Sequence, residues 1–172
     1  TPIGPTLDGD RWRYRYVEVA IARGQRTATL TMTAPSAAPP ETADAMVAEG
    51  AELWALRAFR ELDDALLHLR FDLPEIWMVT VRTQGDPAVV QACDGALAAS
   101  TSGLAREIRL LQRRVLKRFD NTARSFYAVA DTADSCFAGV LLELALGADR
   151  FYMLIDGDEK IAVATSVANQ GF

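Results

Sequence analysis

The sequence predicts an α/β fold, on three observations. Two stretches place apolar residues at three- and four-residue spacing, each is followed by a short apolar run of strand type, and an alternating segment opens the chain. A helix that feeds a buried strand implies parallel pairing, because the crossover carries the chain back to the same end of the sheet.

The first residues, Thr1-Pro2-Ile3-Gly4-Pro5-Thr6, have the composition of a linker. Residues 1–13 therefore read as a linker or N-terminal extension ahead of a domain spanning 14–172, and the whole as a fragment of a longer protein. Arg11-Trp12-Arg13-Tyr14-Arg15-Tyr16 alternates basic and aromatic side chains, a period of two that suits a strand with unlike faces better than a base-stacking strip. From Tyr14 to Met32 apolar residues alternate on both sides of Arg23-Gly24-Gln25, the pattern of a β-hairpin. The proline-rich run from Ala34 to Pro40 sustains neither strand nor helix, and Glu41 to Ala48 follows as one short helix.

Leu53, Leu56, Phe59, Leu62, Leu66 and Leu69 then mark an amphipathic helix that Pro74 ends. Ile76 to Val81 is a nearly continuous apolar run of the buried-strand kind. Leu104, Ile108, Leu111, Val115 and Phe119 mark a second long helix, and Ser125 to Ala130 a second buried strand. Gly139 to Leu146 reads as a helix opening on glycine. Arg150 to Ile155 and Ile161 to Thr165 read as strands joined by the turn-like Asp156-Gly157-Asp158.

At 172 residues, half of them hydrophobic and about a quarter charged, the chain has an ordinary globular composition. Its net charge of −5 and pI near 4.9 speak against a nucleic-acid or anionic-membrane partner. No apolar run reaches the roughly 18–20 residues of a membrane span. Cys93 and Cys136 lack metal-ligand spacing and read as reduced thiols. His68, the single histidine, has no readable catalytic partner, which assigns it a surface or packing role. The arginines between Arg106 and Arg118 suit either a solvated face or phosphate oxygens.

The stretch richest in chemical possibility runs Ser135-Cys136-Phe137-Ala138-Gly139-Val140-Leu141-Leu142-Glu143-Leu144-Ala145-Leu146-Gly147-Ala148-Asp149-Arg150. Helical geometry puts Glu143 on the same face as the amides of Gly139 and Val140, and such free amides suit a developing oxyanion. An ordinary helix packed on a sheet has the same pattern.

This stretch resembles the signature of the crotonase (enoyl-CoA hydratase/isomerase) superfamily. The resemblance implies a ClpP/crotonase-type fold with repeated ββα units and an oxyanion hole for a thioester oxygen. Its donors would be the backbone N–H groups of Val140 and Gln91, the latter in Val90-Gln91-Ala92-Cys93-Asp94-Gly95. It also implies Glu143 as catalytic acid or base, and Gly139, Ala92 and Cys136 beside the substrate. Val167 stands where hydratase-type members carry a second acid.

Together with Tyr14 to Thr31, Ala51 to Asp64, Arg82-Thr83-Gln84-Gly85-Asp86 and Ser135 to Met153, the match is most similar to the second crotonase-like half of the 2,3-epoxybenzoyl-CoA dihydrolase (benzoyl-CoA-dihydrodiol lyase) family. That resemblance implies part of a cytoplasmic enzyme of aerobic benzoyl-CoA degradation that opens an epoxide hydrolytically. No metal or separate cofactor is expected, since coenzyme A is carried by the substrate. The implied partners are an aromatic acyl-CoA, an absent N-terminal half and further copies in a homo-oligomer. The alternative is a non-catalytic scaffold half.

Overall fold

The N-terminal residues enter the sheet. In the computed structural model, which describes residues 3–155 and 161–170, Thr6–Asp8 (β1) and Arg11–Arg13 (β2) are paired antiparallel strands, so much of the expected linker is part of the domain. Trp12 supplies the reason: its side chain is buried between the outward-facing Arg11 and Arg13, which pair with Glu18. The expected hairpin follows as Val17–Ala22 (β3) and Thr27–Thr33 (β4), with Val19 opposite Leu30.

The next segments build the layer over one face of this sheet. Ala43–Glu49 (α1) and Trp54–Phe71 (α2) precede Met78–Gln84 (β5), which pairs parallel with β4. Pro87–Ala99 (α3) and Gly103–Asp120 (α4) precede Ser125–Ala130 (β6). Leu142–Leu146 (α5) and Arg150–Met153 (β7) follow. The seven strands among the described residues form one mixed sheet in chain order, antiparallel from β1 to β4 and parallel from β4 to β7. The repeated strand–helix plan is that of an α/β fold. Two isolated bridges lie outside these strands, Gln84 with Ser135 and Ala138 with Ala164.

Three local readings change. Arg82 to Pro87 and Val90 to Gly95, where the resemblance implies a donor-bearing loop, hold the end of β5 and much of α3, because Asp86 caps the helix by accepting from the Ala88 N–H at 2.8 Å and Pro87 takes the first helical position. β5 and β6 are each buried on one face only, since Met78, Thr80 and Arg82 of β5 and Ser125, Tyr127 and Val129 of β6 turn away from the core. Ile161 to Thr165 forms one bridge rather than a strand, and the turn expected at Asp156-Gly157-Asp158 lies outside the described residues.

The core lies where Phe59, Leu62, Leu66 and Leu69 of α2 pack over Val19, Leu30 and Val81, with Ile108, Val115 and Phe119 of α4 beside them. Each such side chain, wholly buried, stabilises the fold by about 1.5–3 kcal/mol through removal of apolar surface from water. Buried Glu61 accepts from the Tyr16 N–H at 2.7 Å and from Arg57 Nε at 2.7 Å. Trp54 Nε1 donates to the Thr33 carbonyl at 3.0 Å. These bonds fix α2 across the ends of β3 and β4. No described helix is long and apolar enough to cross a membrane.

Candidate functional site

The candidate site forms where the chain leaves β6. After Ala130 it turns at Thr132–Ser135 and runs back beside the end of β5, with the Cys136 N–H donating to the Thr83 carbonyl at 3.1 Å. Phe137 and Gly139 exchange bonds with Ala164, which places residues 164–170 alongside. Gly139 adopts φ 49° and starts a single 3₁₀ turn, Gly139–Leu141, that leads into α5. The helix read from Gly139 to Leu146 is thus a tight turn plus one short helix.

The amide at the centre of the resemblance is occupied. Val140 N–H donates to Asp94 Oδ2 of α3 at 2.9 Å, and the Ser166 hydroxyl donates to the same oxygen at 2.6 Å. Asp94 is 3% exposed. A Cβ on Gly139 would lie 2.0 Å from that oxygen, so the carboxylate sits directly against the turn. A thioester oxygen accepting from Val140 would have to displace it. Burial raises the Asp94 pKa, while its bonds from Ser166 and Val140 pull the other way.

The remaining expected residues are not brought together around that amide. Gln91 lies in the second turn of α3, where its N–H belongs to the helical ladder, so it is no oxyanion donor here; its side-chain Nε2 instead donates to the Thr165 carbonyl at 2.8 Å. Ala92 is exposed on the same helix. Cys136, expected beside a substrate, is wholly buried, and desolvation pushes its thiol up to about 11. The Cys93 thiol is likewise pushed up to about 12 by burial. Neither is an activated nucleophile.

Glu143 is half-buried and accepts from Asn169 Nδ2 at 2.6 Å. It faces a groove beside Leu116, Lys117 and Leu146, whereas Val167 and Asp94 line a different cleft. His68 takes its packing role, edge-on to Trp12 with ring centroids 5.4 Å apart and flanked by Asp64 and Asp72. Among the described residues no group of three His, Cys, Asp or Glu side chains is placed to hold a metal ion.

Sequence reasoning left Ser166 and Asn169 without a role. Asn169 also donates to the Gly139 carbonyl at 2.9 Å and accepts from the Ser166 N–H at 2.8 Å. With Asp94 they tie α3, the Gly139 turn and the 3₁₀ turn Val167–Gln170 into one network. Their only local signal is a Ser-x-x-Asn spacing that favours a turn. Chemically, the arrangement satisfies the Val140 amide with the protein's own carboxylate.

Comparison with known proteins agrees with the architecture. The chain is 40% identical over 172 residues to a benzoyl-CoA-dihydrodiol lyase from Aromatoleum evansii, covering 99% of this chain and 31% of the lyase. Among solved structures, an enoyl-CoA hydratase from Thermoplasma volcanium superposes with TM-score 0.58 at 14% identity, covering 92% of this chain and 54% of that one. DspI from Pseudomonas aeruginosa gives TM-score 0.56 at 18% identity, covering 92% and 55%. No protein-family model matches the chain. The chain spans about a third of the lyase and about half of each structure.

Proposed function

For a chain with the crotonase fold that is similar along its length to part of a benzoyl-CoA-dihydrodiol lyase, we propose the role of a scaffold segment in an acyl-CoA-processing lyase. The thioester chemistry, ring opening of 2,3-epoxybenzoyl-CoA, then belongs to another part of the protein. One observation carries this reading: the Val140 N–H, the amide that a thioester oxygen would need, donates at 2.9 Å to buried Asp94. An oxyanion cannot share that position with a carboxylate, because two negative charges would meet in a site screened from water.

Two further features support it. Val167 supplies no acid, so proton transfer by two carboxylates is lacking. Every residue of β7 is exposed, and Phe151, Tyr152 and Met153 present apolar surface along an open sheet edge. An edge of that kind suits a neighbouring half of the same protein or another copy in a cytoplasmic homo-oligomer. The reading requires no metal or redox cofactor.

Calorimetric titration with benzoyl-CoA tests the proposal, after circular dichroism confirms the fold. The chain is expected to take up no ligand and to show no turnover. Saturable binding by the chain, lost in Glu143→Ala, would instead establish a working thioester pocket.

A further inference from the structure

We propose that the sheet face turned away from the helices is a self-complementary interface on which two copies of this chain pair. The helices cover the side that carries Val19, Leu30 and Val81. Residues alternate along a strand, so Glu18 and Ala20 of β3, Thr29 and Thr31 of β4, and Thr80 and Arg82 of β5 point to the other side, and none of these side chains is buried. Parallel strands are ordinarily covered on both faces, which makes a bare face on β4, β5 and β6 a surface that needs a cover.

The strand register identifies the occupant. One row across the face runs Glu18, Thr31, Arg82, and the next runs Arg11, Ala20, Thr29, Thr80, Tyr127, so β4 is the middle strand of both. A two-fold axis along β4 therefore sets β3 of one copy over β5 of the other, and β2 over β6. Glu18 then faces Arg82 of the second copy, twice by symmetry, and Arg11 faces Tyr127, a guanidinium over an aromatic ring. The usual angle of about 30° between packed sheets displaces the inner pair by only about 2–3 Å, because β3 and β5 lie about 5 Å from the axis. Glu18 also pairs with Arg11 and Arg13, and Arg82 with Asp131, so the contact joins existing ion pairs and strands no lone charge.

Size and shape agree with such pairing. Thr29 and Thr31 meet their own copies at the axis, and short side chains there let the sheets reach their usual separation of about 10 Å. From β2 to β6 the face spans roughly 24 Å by 20 Å, so two copies cover about 1,000 Å² together, the size from which a specific interface is expected. An unrelated surface would have to supply a base over Glu18 and an acid over Arg82 at this spacing, which a second copy does by symmetry. The interface uses neither the β7 edge nor Val140 or Glu143, so it stands whether or not the segment takes part in thioester chemistry.

Sedimentation velocity on the full chain, run over a range of concentrations, should show a monomer–dimer equilibrium that strengthens as salt is lowered. Thr29→Arg sets two like charges against each other at the axis and should weaken dimerisation at least about tenfold, with the fold confirmed by circular dichroism. Met153→Lys, on the β7 edge, should leave it unchanged. Thr29→Cys should be joined to its own copy by a short bismaleimide, since Cys93 and Cys136 are buried and do not compete, and this variant decides the matter should the arginine variant fail to fold. A chain that stays monomeric at every concentration would overturn the proposal and leave the face to another part of the protein. Dimers that survive Thr29→Arg, a Thr29→Cys chain that forms no linked pair, or dimers that Met153→Lys dissolves would each overturn it by placing the contact elsewhere.

Discussion

Two glycines stand where the chain passes from the sheet toward a helix, and the two exits close in different ways. After β5, Gly85 adopts φ 130° and a Cβ there would lie 2.5 Å from Ala34 Cβ. After β6, Gly139 adopts φ 49° and a Cβ would meet Asp94 Oδ2 at 2.0 Å. At the first exit the helix that follows is capped by its own neighbour, Asp86. At the second the buried Val140 amide is satisfied by a carboxylate 46 residues away in sequence. A local cap is part of the helix it starts, whereas a distant side chain closes the turn only through tertiary packing. One substitution can reopen the second exit.

The largest effect should come from Gly85→Ala. Its obstruction is a Cβ fixed to the backbone, so an overpacking penalty adds to backbone strain at positive φ, for about 4 kcal/mol in urea unfolding. Gly139→Ala should lose less, about 2–3 kcal/mol, because the obstructing atom ends a side chain that can rotate away, at the cost of its hydrogen bonds. The contrast sharpens in a double-mutant cycle. Asp94→Ala should restore part of the stability lost in Gly139→Ala and none of that lost in Gly85→Ala. Additivity in both pairs would remove the distinction between the exits.

The same contrast explains what was readable in advance. The hairpin, α2, α4 and β6 were legible because each repeats one spacing over its length, as in Ile108, Val115 and Phe119. The helix α3 was missed because its buried positions Val90, Cys93 and Leu97 are separated by small residues, and Gly85-Asp86-Pro87 looked like a loop rather than a cap. Gly139, Val140 and Glu143 were singled out by resemblance, and of that stretch the passage from a glycine turn into a helix is what the structure shows. The carboxylate that fills the turn was not legible, because the bond from Val140 to Asp94 joins separate elements and leaves no periodic trace.

Titration offers a second way to separate the exits. Burial raises the Asp94 pKa, so in the window between the unfolded value, about 4, and the folded one, the native chain binds more protons. Stability from this group is therefore full below the unfolded value and declines as pH rises through the folded one. Asp94→Asn keeps an oxygen for Val140 and Ser166 but does not ionise, so the difference in stability, wild type minus variant, should fall with rising pH. Asp131, whose pKa is lowered chiefly by its hydrogen bonds from Arg82, has the opposite dependence. Being present in both proteins, it cancels. Parallel unfolding curves from pH 4 to 8 would show that Asp94 does not titrate within the closed turn.

The smallest effect belongs to the cap at the first exit. Asp86→Ala removes the oxygen that accepts from the Ala88 N–H, and replacing such a cap by alanine typically removes about 1 kcal/mol. Asp86 is exposed, so water can take over the freed amide, and Asp86→Asn should restore nearly all of the loss because it retains the acceptor. Neither variant should alter the pH dependence attributed to Asp94, since the cap shares no hydrogen bond with the Gly139 turn. Chemical unfolding of the two variants at matched pH measures this. A shift in the Asp94 profile on Asp86→Ala would mean that α3 transmits strain from its first turn to Asp94, and that the two exits act as one unit.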